Sequence, residues 1–304
     1  MSEIPEYNQQ PHREILAGDK HIASFIHSDA MNADDSTVKS FGDEWTKFNS
    51  FTDEELKSAG DEYLDIVTEE MLNNTSTVLD LGCGSGRWSY FIADRVKRIE
   101  AIDPSNSVIG ASHLLSTKKN VRVTQAVVNA IPFADDTFDF LLCLGVLHHI
   151  PDTQQALNDA IKKVKPGGYA LLYFYYNLEN RGMLYRFIFM IVNAMRKLIS
   201  SFPKWMKHAS CDAIALFIYL PLVIFARMLK FLFPNSSYYE KIPLSYYINK
   251  NFRIMRNDAL DRFGTPLEKR YSKADINKMC LNAGLKEVVF SADQPYWHCV
   301  GQKA

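Results

Sequence analysis

Val78-Leu79-Asp80-Leu81-Gly82-Cys83-Gly84-Ser85-Gly86 is an apolar run that ends in an acid and is followed by three glycines at alternate positions. Arg87-Trp88-Ser89-Tyr90-Phe91-Ile92-Ala93 then reads as the start of a helix. A strand, a tight turn and a helix in this order let main chain approach a ligand closely, because glycine has no Cβ to hold it away. The next apolar run, Arg98-Ile99-Glu100-Ala101-Ile102, closes on Asp103, a second carboxylate placed for ribose hydroxyls. Together these features predict a nucleoside-bearing cofactor at the carboxyl edge of a parallel sheet.

The spacing narrows the cofactor. A dinucleotide fingerprint reads G-x-G-x-x-G with an acid about 20 residues on. Here the pattern is G-x-G-x-G, with Asp80 two residues before the first glycine. A pyrophosphate is disfavoured beside a carboxylate, whereas a ligand carrying ammonium and sulfonium groups is favoured by one. The segment resembles motif I of the class I S-adenosylmethionine (SAM) methyltransferases. Three more stretches resemble that family in the same order. Ile131-Pro132-Phe133-Ala134-Asp135-Asp136-Thr137-Phe138-Asp139 is similar to a stretch of its small-molecule branch, which includes the ubiquinone and menaquinone biosynthesis methyltransferases. Leu147-His148-His149-Ile150-Pro151-Asp152 is similar to the turn after strand four, and Val164-Lys165-Pro166-Gly167-Gly168-Tyr169 to the turn before strand five. The resemblance covers residues 76–176 well.

That resemblance implies SAM as cofactor, methyl transfer as activity, and a binding set of Asp80, Gly82, Cys83, Gly84, Gly86, Asp103, Pro104, Val127, Val128, Leu144 and Trp45. One departure stands out. Relatives often carry an acid after strand three for the adenine amino group, and the matching place in Ala126-Val127-Val128 holds Val127. Adenine is then expected against backbone and apolar contacts. His148 and His149, just past strand four, are the candidate catalytic bases, with packing in the turn as the competing role for each. Tyr173 and Tyr175 should share one face of strand five and Tyr176 the other, since strand side chains alternate.

The chain has 304 residues, 47% hydrophobic, enough for one large core with an elaborate insertion. Its five cysteines, Cys83, Cys143, Cys211, Cys280 and Cys299, are dispersed and odd in number. This predicts reduced thiols, no zinc site and a cytoplasmic protein, in line with a polar N-terminus that lacks the apolar stretch of a signal peptide. A net charge of −1 hides strong segregation: residues 1–72 carry 17 acids against 5 Lys/Arg, and residues 183–234 carry seven Lys/Arg against Asp212 alone.

Strands are expected near 77–81, 98–102, 121–125, 138–143 and 168–175, with helices near 87–96, 105–117 and 153–164 between them. Such alternation predicts an α/β fold, a doubly wound, mostly parallel, Rossmann-like sheet. Residues 1–40 read as a flexible arm, residues 41–182 and 236–304 as the SAM-binding domain, and 183–235 as a helical insertion after strand five. Phe41–Phe48, an aromatic cluster around Trp45, reads as a lid over the cofactor or an anchor for the arm. Lys273–Ala283 should be a helix stopped at Gly284, followed by strands at Glu287–Phe290 and Trp297–Val300.

In the insertion, the polar residues Arg186, Asn193, Arg196, Lys197 and Ser200 fall within an arc of about 100° on a helical wheel and leave an apolar face. Ala213–Ala226 is apolar all round and contains Pro221. Its length falls short of the roughly 17–25 residues of a simple span. Lys204, Lys207, Arg227 and Lys230 flank it, as suits an anionic membrane surface. Two roles stay open: a cap that walls an apolar pocket, and peripheral contact with the inner face of a membrane. The acceptor is expected to be small, apolar or lipid-linked, methylated at oxygen or nitrogen and less readily at carbon. No basic appendage or amino-methylation motif points to nucleic acid. Two alternatives remain: a non-catalytic SAM-binding or membrane scaffold, and a dinucleotide-dependent oxidoreductase.

Overall fold

The computed structural model describes residues 4–26, 32–47, 57, 60–179 and 182–304. They divide into two compact units, residues 1–180 with 267–304, and residues 181–266.

The first unit is built on a sheet of order β1-β2-β5-β4-β3-β6-β7-β9-β8. Its centre is β3 (Thr77–Leu81), β4 (Arg98–Asp103), β5 (Val121–Gln125), β6 (Phe138–Leu144) and β7 (Val164–Tyr173), all parallel. Helices α2 (Arg87–Ile92), α3 (Ser107–Leu114) and α4 (Thr153–Lys162) connect them. These central strands follow the sequence expectation within a few residues, because each is a short apolar run closed by a turn. Strand β6 shows why the pattern is strong. Leu141 and Cys143 enter the core on one face of the sheet, and Phe140, Leu142 and Leu144 enter it on the other. A strand buried on both sides reads as continuous apolar sequence. Strand order reverses between β3 and β6, which opens a crevice at their carboxyl ends.

The C-terminal elements also match. Helix α9 (Lys273–Asn282) starts at a capping box of Ser272 and Asp275, and Gly284 follows it at φ 88°. Strand β9 (His298–Lys303) inserts antiparallel between β7 and β8 (Leu285–Phe290).

Three expectations need correction. The arm at 1–40 contains a hairpin, β1 (Arg13–Ala17) and β2 (Lys20–Ser24), whose second strand pairs with β5 through Ser24 and Gln125. Gly18, at φ 62°, takes the first position of its two-residue turn, which an L side chain resists. Helix α1 (Asp35–Lys47) follows, so half of the described residues of the arm lie in regular elements.

The second correction concerns the insertion. It runs from 181 to 266 and takes in α8 (Phe252–Gly264), which had been expected in the SAM domain. Its other helices are α5 (Met183–Ser200), as expected, then α6 (Lys204–Ile214) and α7 (Leu220–Leu232).

The third is that Ala213–Ala226 is not a separate helix. Helices α6 and α7 are continuous through a π-helical stretch, Ala215–Tyr219, giving one helix of 29 residues that is long and apolar enough to cross a membrane. The π turn ends two residues before Pro221, where the missing N–H would otherwise break the ladder. Within this unit Arg196, 5% exposed, donates to the carbonyls of Thr265 and Pro266 at 2.8 and 2.7 Å. Arg256 forks onto Asp212 at 3.0 and 2.8 Å.

Candidate active site

The glycine turn lies at the carboxyl end of β3, beside the strand reversal. Gly82, Gly84 and Gly86 all have positive φ, at 75°, 54° and 83°. The N–H groups of Gly82 and Cys83 donate to the Ile102 carbonyl at 2.7 and 2.9 Å, which ties the turn to β4. Space makes the same demand as conformation at Gly82, where a Cβ would lie 2.3 Å from Val146 Cγ2.

Two carboxylates bracket the turn. Asp80 is 1% exposed, and its Oδ2 accepts from Ser89 Oγ at 2.6 Å. Burial, and then the charge of Asp103, push its carboxyl up to about 7 against the Ser89 hydrogen bond. Asp103, also buried, is likewise raised by burial. Its Oδ2 accepts from Gly84 N at 3.0 Å, and its Oδ1 from Ser105 N and Ser105 Oγ at 2.8 and 2.6 Å. A carboxylate accepts about four hydrogen bonds, and Gly84, Ser105 and Ser107 together take up most of that capacity.

The other expected residues fall into place unevenly. Val127 and Val128 are both buried after β5, and Val128 is committed to the core. Leu144 ends β6 at 8% exposed. Pro104 follows Asp103, and its carbonyl accepts from Gln125 Nε2 at 3.2 Å. Cys83 is buried and its thiol is pushed well up by burial, so it is a neutral wall. The Trp45 side chain, like all of Phe48, lies outside the described residues.

Residues not anticipated also belong here. Ser89 holds Asp80, and Ser105 holds Asp103. Ser85 Oγ is buried on the turn with no hydrogen-bond partner among the described residues. A buried hydroxyl is rarely left so unless something else satisfies it. The signal for Ser85 was present: it is the one polar side chain among the three glycines.

The two histidines sit in a short 3-10 turn, Leu147–His149, after β6. His148 is fully buried, stacks on Tyr175 at 4.0 Å and accepts from Tyr175 N at Nδ1, 3.4 Å. Its proton is therefore on Nε2, and burial, with His149 and Arg270, holds its pKa well below the ordinary value. That tautomer is neutral, and its buried Nε2–H has no hydrogen-bond partner among the described residues. His149 Nδ1 lies 2.7 Å from the Leu267 carbonyl, so Nδ1 donates and the lone pair is on Nε2. That is the form of a proton acceptor. Phe41 of α1 meets the His149 ring edge-on at 4.8 Å. Tyr173 and Tyr175 lie together at 5.8 Å, while Tyr176 turns to Tyr296 and Trp297, as alternation predicted.

The geometry fits a cationic nucleoside ligand: paired buried acids, an open main-chain turn and an unsatisfied hydroxyl. Comparisons with known proteins agree. Residues 79–172 match the Methyltransf_11 family, described as a methyltransferase domain. The ubiquinone biosynthesis O-methyltransferase of Hydrogenovibrio crunogenus is 28% identical over 131 residues, 42% of this chain and 52% of that protein. That of Pseudomonas paraeruginosa is 32% identical over 99 residues, 32% and 43% of the two chains. This chain spans about half the length of the curated relatives it matches. Among solved structures, a SAM-dependent methyltransferase of Aquifex aeolicus is 16% identical with a TM-score of 0.42, covering 83% of this chain and 97% of that one. The matched stretch is a class I SAM-dependent methyltransferase domain, similar over part of its length to ubiquinone biosynthesis O-methyltransferases, and its cofactor is SAM.

Proposed function

We propose that this chain transfers a methyl group from SAM to an oxygen or nitrogen of a small, apolar or lipid-linked acceptor, at or near an anionic membrane surface on the cytoplasmic side. The observation that carries the reading is the pair of buried carboxyls, Asp80 and Asp103, on either side of a glycine turn at the sheet's reversal point. Bound SAM supplies an electrophilic methyl on a sulfonium whose positive charge is lost on transfer. Asp80 answers the cation: about half ionised near neutral pH, it becomes fully charged beside a positive ligand. Asp103, at the end of β4 beside the turn, faces a ribose hydroxyl, while its bonds to Gly84 and Ser105 fix the turn.

Methyl transfer asks mainly that donor and acceptor be held in line. A phenol or alcohol acceptor also needs a proton taken from it, and His149 Nε2 is in the tautomer to take it. The rings of Phe41, His148, Tyr175 and Tyr173 surround this turn in a chain of contacts that favours an aromatic or isoprenoid-like acceptor over a polar one. The names of the ubiquinone-biosynthesis relatives support the same acceptor class. The test is to incubate the purified full chain with SAM and with lipid and aqueous cell extracts, and to search each by mass spectrometry for compounds heavier by one methylene. Products confined to the aqueous extract would remove the apolar acceptor. Stable SAM binding with no product in either would remove catalysis.

A further inference from the structure

Helix α5 turns its apolar side outward. Phe187, Ile188, Met190, Ile191 and Leu198 are all exposed, and on a wheel they occupy one continuous arc. The side it buries is the mixed one, with Val192, Ile199 and the satisfied Arg196. A helix of a water-soluble fold does the reverse. The long helix Lys204–Leu232 repeats the inversion. Ile224, Phe225, Met228, Phe231 and Leu232 form an exposed stripe at helical spacing, with Phe217 74% and Phe231 84% exposed.

Charge points to the occupant of these faces. Residues 181–266 hold thirteen Lys/Arg and four Asp/Glu, a balance of +9, in a chain whose total is −1. The exposed Arg186 and Lys197 border the apolar arc of α5 on one side. An apolar face edged by cations complements anionic lipid.

The remaining question is whether the long helix crosses the bilayer or lies along it. Twenty-nine residues span about 43 Å, more than the roughly 30 Å of hydrocarbon. Its uncharged stretch, 213–226, spans only about 21 Å. The buried side of its first part, with Cys211, Ile214, Ala215 and Tyr219, packs against α8, and Val223 and Ala226 further along are buried as well. Helix α8 carries Arg253, Arg256, Asp258, Asp261 and Arg262, and Arg256 is forked onto Asp212 of the long helix. A crossing would drag this charged helix into hydrocarbon or strip it away.

Resting on the membrane reading above, we propose that residues 181–266 form a monotopic module: α5 and the long helix lie flat in one leaflet of an anionic membrane, with α8 on the side away from lipid, and no segment crosses. Single cysteines are placed at exposed positions just beyond each end of the long helix, Ser201→Cys and Asn235→Cys, in the full chain, whose native thiols are buried. Each variant is bound to sealed vesicles of phosphatidylcholine with or without phosphatidylglycerol, floated, and treated from outside with a membrane-impermeant maleimide. The module predicts flotation that needs phosphatidylglycerol and falls at high salt, with both cysteines labelled from outside. Phe217→Ser with Phe231→Ser should cut flotation by at least roughly tenfold while SAM binding stays unchanged. Flotation with one cysteine protected until the vesicles are opened would overturn the flat orientation and leave membrane binding standing. No flotation, or a tight dimer in its place, would overturn the membrane reading itself.

Discussion

Asp80→Asn should stabilise the ligand-free protein and weaken it as a SAM binder, and the two effects can be sized from the structure. The Asp80 carboxyl is 1% exposed and moves from its ordinary 3.8 up to about 7, chiefly through burial. At about 1.4 kcal/mol per pH unit this corresponds to roughly 4 kcal/mol of penalty for the ionised form in the fold. Between about pH 4 and pH 7 the folded chain holds a proton that the unfolded chain has released. Its stability from this group is therefore full below pH 4, falls as pH rises to 7 and is level beyond. Asparagine can keep the Ser89 Oγ hydrogen bond and carries no charge. The variant should lose that pH dependence and melt several degrees above wild type near pH 8, at roughly 2–4 °C per kcal/mol. SAM affinity should change in the opposite sense. Losing one charge-assisted contact, worth roughly 1.5–3 kcal/mol, weakens binding about tenfold to a hundredfold near pH 8. Wild-type affinity should decline toward the variant's as pH falls to about 6. Thermal melts and titration calorimetry across this range give both readings. An asparagine variant no more stable than wild type, with SAM affinity unchanged at high pH, would refute the reasoning.

Three further outcomes follow from the same geometry. Gly82→Ala places a methyl 2.3 Å from Val146 Cγ2 at φ 75°, and it should cost more than roughly 2 kcal/mol in denaturant melts and abolish SAM binding. Asp103→Ala should lose one ligand hydrogen bond and leave Gly84 N without its acceptor, so calorimetry should show weaker SAM binding together with a lower melting temperature; unchanged affinity would remove Asp103 from the site. His149→Gln should lower kcat on a hydroxyl acceptor by roughly 10²–10⁴-fold with little change in SAM affinity, whereas His148→Gln should mainly lower stability; equal kcat losses would undo the division of roles.

Much of the candidate site was legible because the features that define it are local. Asp80, the three glycines and Asp103 lie within one strand–turn–helix–strand passage, and each has the residue type its backbone position demands. The central strands were legible because burial on both faces leaves continuous apolar runs. What was not legible depends on distant partners. The tautomer of His149 is set by the Leu267 carbonyl, 118 residues away. The hairpin at 13–24 alternates weakly, with Lys20 and His21 in one strand, so its pairing with β5 decides it. The apolar run 213–226 read as a short segment, yet the π turn at Ala215–Tyr219 joins it to α6 in one long helix that carries Pro221. The boundary at 266 was missed because α8 is polar: its charges pair within the second unit, as Arg256 does with Asp212.

The most direct test of the central claim is transfer of a labelled methyl group from SAM by the purified full chain, partitioned between organic and aqueous phases. The account predicts label in the organic phase when lipid extract is the acceptor, reduced strongly in Asp103→Ala and in His149→Gln. Label that stays in the aqueous phase, or transfer that is unaffected by both substitutions, would contradict it.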